Sequence, residues 1–529
     1  MRAPARGSAH DSARVPARVS ARLSTRLSTL VRRLSPLLVF TLSACLPGPN
    51  YVRPNIEVPA TYRFASGEVA DVANTVWWEQ FQDPVLDQLI HTALERNRDV
   101  KIAAARIDEF AAQLQITRSA FYPQVGAGFS ASRQRSSSLG GVPLPANVDP
   151  VYNLFSPTLA ASMNIDLFGR TRRQTEAARA ELAATVEGRR DTVLTLVVSV
   201  AVSYFNLRSL DRQLEIAQAT ATSRAESVRV FALRFKHGEV SQMELAQSQS
   251  EYESALATIP VIEMQIAQQE DALSVLLAQN PGPIPRGRDL QSIELPAVPA
   301  GVPSDLLVRR PDLLAAEQNL IAANAQIGAA RALYFPTISV SGLIGAASTV
   351  FSSLLTGPAY IWSVGGAITQ PIFTGGNITG QVHLAEAREQ EALYAYLQSV
   401  QTAFQQVEDA LIALQKTQAQ LVAQGRQVDA LTTYARLARK RYEGGYTSYI
   451  EVLDAERSLF NAELSYTQTE AAVLTWYVSL YKTMGGGWVT QAERMTMPVP
   501  ASPASEAQAP QAQQGHAADL VDAAGAAGG

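Results

Sequence analysis

The chain of 529 residues carries a single cysteine, Cys45, and five histidines. One thiol excludes an intrachain disulfide and any cysteine-based zinc site. His10, His91, His237, His383 and His516 are scattered, with no pair at metal-ligand spacing, so no metal site is expected. Aromatic residues make up 7% and the formal net charge is -4. No Lys/Arg cluster interleaved with aromatics follows Cys45, which argues against nucleic acid as a partner. Gly485-Gly486-Gly487 follows a helical pattern and lacks a Lys-Ser/Thr partner, so it reads as a helix terminus rather than a phosphate loop. With no catalytic constellation, the chain is not expected to be an enzyme. Beyond Cys45 no run approaches the ~20 apolar residues of a membrane-crossing helix. The best candidate, Val193 to Val202, is short and carries Thr195 and Ser199. If this chain crosses a membrane, it does so with strands.

What the chain has instead is repetition. Leu94 to Val125 realigns with Leu307 to Ile338 at an offset of 213, so that Asp99 meets Asp312, Gln113 meets Gln326, Arg118 meets Arg331 and Pro123 meets Pro336. Arg234 to Gln249 realigns with Arg441 to Glu456 at an offset of 207. Two copies of one helix-strand-strand-helix unit with small length differences predict a pseudo-two-fold architecture. A 47% hydrophobic content, dense in Ala, Gln, Leu and Ser, is the composition of a helical array.

The cysteine closes a targeting segment. Arg32 and Arg33 precede the apolar run Pro36 to Leu42, and Leu42-Ser43-Ala44 places small residues before Cys45. This is a lipoprotein signal: Cys45 is expected to carry a diacylglyceryl group and to become the first mature residue. Its acyl chains would supply roughly 0.8 kcal/mol of anchoring per buried methylene. Leu46, rather than Asp, points to outer-membrane delivery. The predicted division is a signal over 1–44, a lipidated segment over 45–92, a first repeat over 93–280, a linker over 281–303, a second repeat over 304–488 and a disordered Ala/Pro/Gln/Gly-rich tail over 489–529.

Strand signals occur twice per copy. Leu159, Ala161, Met163, Ile165 and Leu167 alternate with polar or small residues over Thr158 to Leu167. Ile338 to Ile344 and Trp362 to Thr369 alternate likewise, and Gln124 to Ser132 is the weakest of the four. Their length and polar second face favour a lipid-facing barrel over a half-buried globular sheet. Four strands cannot close alone, so the barrel must be shared between subunits.

Long helices take up most of the rest. From Thr171 to Arg234 there is no proline, a span on the order of 100 Å as helix. Val193, Val197, Val200, Tyr204, Leu207 and Leu214 run in alternating steps, as do Val400, Phe404, Val407, Leu411, Leu414 and Leu421, the pattern of coiled-coil packing. Each helix stops at a matching turn. Gly238 and Gly445 suit left-handed C-caps, while Ser241 with Glu244 and Ser448 with Glu451 suit capping boxes. Asp454 lies one turn beyond Glu451 on the same face. Stacked carboxylate rings at the end of a tube would bind cations or gate a pore.

These residues resemble the TolC-like outer-membrane factors, most closely the lipoprotein (NodT-type) branch serving resistance-nodulation-division (RND) multidrug efflux. The likeness rests on Gly48-Pro49-Asn50-Tyr51-Val52-Arg53-Pro54, Trp77-Trp78 with Phe81 and Asp83-Pro84, Arg309-Arg310-Pro311-Asp312, and Leu480 to Trp488. It covers roughly Cys45 to Trp488. It implies a mainly α fold with a transmembrane β-barrel contribution: a homotrimer in which each subunit gives four strands to a 12-stranded barrel and long antiparallel coiled helices to a periplasmic tunnel. It implies a passive exit duct for drugs or other small solutes in the outer membrane, with no cofactor besides the lipid on Cys45. The partners implied are membrane lipid, a periplasmic adaptor and, through it, an inner-membrane RND pump. The adaptor-contacting tips would lie at Gly238, Ser241, Gly445 and Ser448, and the pore constriction at Tyr442, Glu451 and Asp454. Thr447 stands where the family has a latch arginine. A heavy-metal efflux channel or a non-transporting anchored helical scaffold are the alternative readings.

Overall fold

A computed structural model describes residues 47–64, 76–137, 149–293, 295, 305–485 and 489. The signal segment, Cys45, the Gly486-Gly487-Trp488 end of the last motif and all of the tail but residue 489 lie outside the described residues.

The elements come in two matching sets. The first is α1 (Pro84–Arg96), α2 (Arg98–Ser119), β1 (Gln124–Arg135), β2 (Val151–Ile165), α3 (Arg170–Lys236) and α4 (Gln242–Leu276). The second is α5 (Leu306–Arg309), α6 (Pro311–Arg331), β3 (Thr337–Ala346), β4 (Tyr360–Thr369), α7 (Asn377–Glu443) and α8 (Tyr449–Thr483). α3 and α7 each run for 67 residues and α4 and α8 for 35, so the 207-residue offset holds through both pairs. The duplication is therefore structural. The chain nevertheless forms two compact units that each draw on both copies, with boundaries after Ala60, Ile102, Arg189, Val302 and Gln405.

One unit holds the sheet, an antiparallel meander in the order β1-β2-β3-β4. β2 starts at Val151, seven residues before the alternation predicts, because alternation fails there: Asn153 falls on the apolar side and Pro157 sits inside the strand. Proline has no N–H to give the ladder. Regular pairing between β2 and β3 accordingly stops at Thr158 opposite Gly345, and one bridge, Phe155 to Ser348, resumes it beyond the proline. Gly345 is required here, since a Cβ would lie 2.3 Å from the Pro157 carbonyl oxygen.

Helix ends in this unit pack through small residues. Ala177 and Ala180 of α3 meet Ala322 and Ala325 of α6. The Gly48 to Pro54 motif is a strap across them: Arg173 donates to Asn50 Oδ1 at 2.8 Å, Tyr51 to Glu317 at 3.0 Å and Arg53 to Glu317 at 2.8 Å. Gly48 lies against Gly328 so closely that a Cβ on either would meet backbone.

The other unit contains the coiled seam. Val193, Val197, Val200, Tyr204 and Leu207 are buried, as are Val407, Leu411 and Leu414, in line with the stepped pattern. One stretch of α3 is apolar enough by length and composition to cross a membrane, contrary to the sequence expectation, but 67% of it is buried within the fold. Trp77 stacks on Tyr481 at 5.5 Å and Phe81 meets Phe205 edge-on at 5.1 Å, which explains the Trp77-Trp78 and Leu480-Tyr481 motifs as core. Asp83 is fully buried. It caps α1 through the Val85 and Leu86 N–H groups and accepts from Tyr204 Oη at 2.6 Å and Arg288 N at 3.2 Å. Tyr204 Oη in turn accepts from Gly287 N at 3.0 Å. Every polar atom of this buried knot has a partner, the condition under which a buried carboxylate is tolerated.

Candidate functional site

Two places carry the geometry that function requires. The first is the sheet. In an antiparallel ladder, partners directly opposite share a face. Phe129 pairs with Pro157, Val125 with Ala161, Leu159 with Ile344, Met163 with Val340, Ile344 with Trp362 and Ile338 with Ile368. Those residues make one continuous apolar face across four strands. The opposite face pairs Ser130 with Ser156, Ser162 with Ser341, Asn164 with Ser339 and Thr337 with Thr369. Phe129, Trp362, Val364 and Ile368 are exposed on the apolar side, Val364 at 76%. β1 and β4 are the two sheet edges, each with one row of backbone groups unpaired among the described residues.

The second is the pair of helix tips. Both long helices end in the same double hydrogen bond: Glu239 N to Arg234 O and Gly238 N to Phe235 O in the first, Tyr446 N to Arg441 O and Gly445 N to Tyr442 O in the second, each at 2.9 Å. Gly238 and Gly445 both adopt φ +78, a left-handed conformation in which a Cβ is strained. Ser241 forms the predicted capping box, giving Glu244 N its Oγ at 3.2 Å while Glu244 accepts from Ser241 N at 2.8 Å. Val240 and Leu245 flank that box and pack on the buried cluster beneath.

The second tip departs from this. Ser448 is the N-cap, but its side chain makes no capping bond. The predicted capping box is absent because Glu451 has other partners, Thr447 Oγ1 and the Arg441 guanidinium at 3.1 Å. Valine occupies the position of Thr447 in the first copy, so Glu244 has no such hydroxyl to turn to. Asp454 is paired with Arg457 at 3.0 Å and is 55% exposed. The two acids expected at the constriction are thus each engaged by a cation of their own chain, Arg441 and Arg457, neither of which was singled out from sequence. Exposed pairs of this kind contribute at most about 1 kcal/mol and exchange readily.

Tyr442 does not extend freely from the tip. It is half-buried, stacked 5.9 Å from Phe231 and tilted against Tyr449 at 5.3 Å, with the Arg234 guanidinium 6.0 Å over its ring. Burial pushes the hydroxyls of Tyr442 and Tyr449 upward. Phe231, Tyr449 and Arg234 were not singled out from sequence. A signal was present: at the 207 offset Phe231 faces Ala438 and Tyr449 faces Gln242, so the copies differ in size where the cluster forms.

A family model described as outer membrane efflux protein matches residues 89–279 and 302–486. This chain belongs to the outer membrane efflux protein family. The two matched stretches cover most of the two repeats. The chain is 35% identical over 465 residues to the probable efflux pump outer membrane protein TtgC of Pseudomonas putida, covering 85% of this chain and 94% of that one. It is 36% identical over 463 residues to the cation efflux system protein CusC of Escherichia coli, covering 86% and 99%. The crystal structure of the open state of the Neisseria gonorrhoeae MtrE outer membrane channel matches with a TM-score of 0.74 at 32% identity, covering 85% and 99%. As a member of this family the chain is an efflux protein of the outer membrane, and its mainly helical fold with a four-stranded sheet is the family's fold.

Proposed function

We propose that three copies of this chain close one barrel of twelve strands and one helical tunnel, the exit duct of a tripartite RND-type system. Drugs or other small solutes would enter from an inner-membrane pump through a periplasmic adaptor docked on the tips around Gly238, Ser241, Gly445 and Ser448. The carrying observation is the sheet itself: an apolar face continuous over four strands, a polar face behind it, and two unpaired edges at β1 and β4. Edge-to-edge closure satisfies those backbone groups, as a lipid environment demands. Four strands per subunit suit a small shared barrel better than a lone sheet.

Lipidation of Cys45 belongs to the same reading. Pro47, two residues on, lies against Gly328 in the last turn of α6, shortly before β3 begins. An acyl chain attached there would start at the level where strands give way to helices. At the tips, Glu451 and Asp454 from three copies would ring the constriction, held in check by Arg441 and Arg457, and an adaptor that breaks those pairs would shift the tip toward an open state.

The test is conductance of purified, lipidated protein in a planar bilayer. Small cation-selective steps blocked by a multivalent cation, with block weakened in E451Q/D454N, support the gated trimer. Well-folded trimers whose block is untouched by the double substitution would remove the acidic ring. A monomer that fails to insert would restore the anchored-scaffold reading.

A further inference from the structure

The two copies differ at an ion pair beside the sheet. In the second, Arg331 in the last turn of α6 donates to Glu386 of α7 at 2.7 Å. The offsets of 213 and 207 carry this pair onto Arg118 of α2 and Arg179 of α3. The acid has become a second arginine. Arg118 and Arg179 are exposed, line the same cavity of about 860 Å³ and make no ion pair among the described residues. Arg172 borders that cavity too, bonded to Asp166 and to the Leu167 carbonyl. Glu176 is the lining carboxylate, and Arg173 already holds it at 2.9 Å. The cavity therefore has an excess of positive charge, whereas the matching arginine of the second copy, Arg331, is neutralised by Glu386.

Guanidinium forks match a phosphate in geometry and charge. Position decides which phosphate. Phe121 and Tyr122 line the same cavity and lead directly into β1, while Arg172 lies in the first turn of α3, just after β2. At the same end of the sheet Tyr334, Phe335, Ile372 and Phe373 are exposed, Phe373 at 91%. Aromatic residues at strand ends mark the interface of a membrane barrel, the level of lipid headgroups.

We propose that Arg118, Arg172 and Arg179 bind the headgroup phosphate of a membrane phospholipid, an anionic one in preference, where the barrel meets the helices. The inference rests on the outer-membrane barrel reading. Two substitutions read directly off the duplication test it. R179E rebuilds in the first copy the ion pair of the second; E386R breaks that pair and makes a second arginine pair. Full-length protein is titrated with phosphatidylglycerol, phosphatidylcholine and inorganic phosphate, and bound lipid is counted by native mass spectrometry. Loss of the charge-assisted bonds should weaken phosphatidylglycerol binding by about tenfold in R179E, and E386R should hold one more lipid per chain. Equal binding by wild type and R179E overturns the proposal, and complete displacement by millimolar phosphate makes the site one for free phosphate instead. Trimer mass and bilayer conductance are recorded on the same samples. R179E should leave both intact, so loss of lipid alone speaks to this site, whereas wild type that neither trimerises nor conducts speaks against the barrel. Should R179E fail to fold, R118Q decides by the same titration.

Discussion

The two helix tips come from one ancestral sequence and use the same acid differently. At the first, Glu244 closes a capping box with Ser241 and spends its charge on holding the turn. At the second, Glu451 leaves Ser448 and turns to Thr447 and Arg441. A carboxylate in a capping box is a structural part, whereas one in an exposed ion pair can exchange partners at small cost. The difference teaches that duplication supplies the scaffold twice, and that one-residue changes such as Val240 against Thr447 then release the acid of one copy to other partners.

The largest way to break the comparison lies at the buried anchor of the first copy's long helix. Asp83 holds Tyr204 of α3, whose counterpart in α7 is Leu411. Asp83→Ala removes a helix cap and strands two buried donors, so a loss of about 3 kcal/mol is expected. Hydrogen exchange should rise in α3 well before α7, and a uniform rise would contradict it.

Next comes the charge at the tips. E451Q/D454N should lower cation selectivity several-fold, while Glu244→Gln should leave selectivity alone, because its charge is committed to Ser241. Reversal-potential measurements on the two variants decide which acids face the permeant ions.

A smaller effect is expected at Asp87. Burial, then the carboxylates of Glu79 and Asp83, raises this group to about 6. The folded chain thus keeps a proton that the unfolded chain releases near pH ~4, and stability falls as pH rises from there to about 6. Asp87→Asn should therefore raise the unfolding temperature at neutral pH, by a free energy of about 1 kcal/mol after allowing for solvent screening and the favourable helix N-terminus. Below pH ~4 the gain should vanish; a gain that persists there would point to packing rather than charge.

The smallest test sharpens the tip comparison itself. Ser241→Ala should cost about 1 kcal/mol and Ser448→Ala close to nothing, as read by local hydrogen exchange. Thr447→Val should return Glu451 to Ser448 and make the second serine matter.

Much of the fold was readable before any coordinates. The 3.5-residue stepping of Val193 to Leu207 found the seam, and period-two alternation found β3 and β4, because burial imposes those periods directly on the chain. The start of β2 was not readable, since Tyr152 to Pro157 break the alternation and the ribbon is sustained by pairing with β1 and the single bridge from Phe155 to Ser348. Gly238, Gly445 and Ser241 were placed correctly because caps are local. The pairing of Glu451 with Arg441 and the ring cluster around Tyr442 were not, since each depends on side chains that meet only when two helices turn back on each other; the partner of Asp454, Arg457, lies three residues on in the same helix, a spacing the sequence did offer.

By itself, then, the sequence determined the duplicated plan, the lengths of the long helices, the apolar face of the sheet and the turns, all set by near-neighbour chemistry and periodicity. Only the tertiary structure decided which of two equivalent acids caps a helix and which is held by Arg441, and which of two equivalent arginines is neutralised and which lies open. Those outcomes depend on competition among partners that the fold brings together, Arg441 across a turn from Glu451 and Glu386 across a strand pair from Arg331, where a hydroxyl or a reversed charge tips the balance.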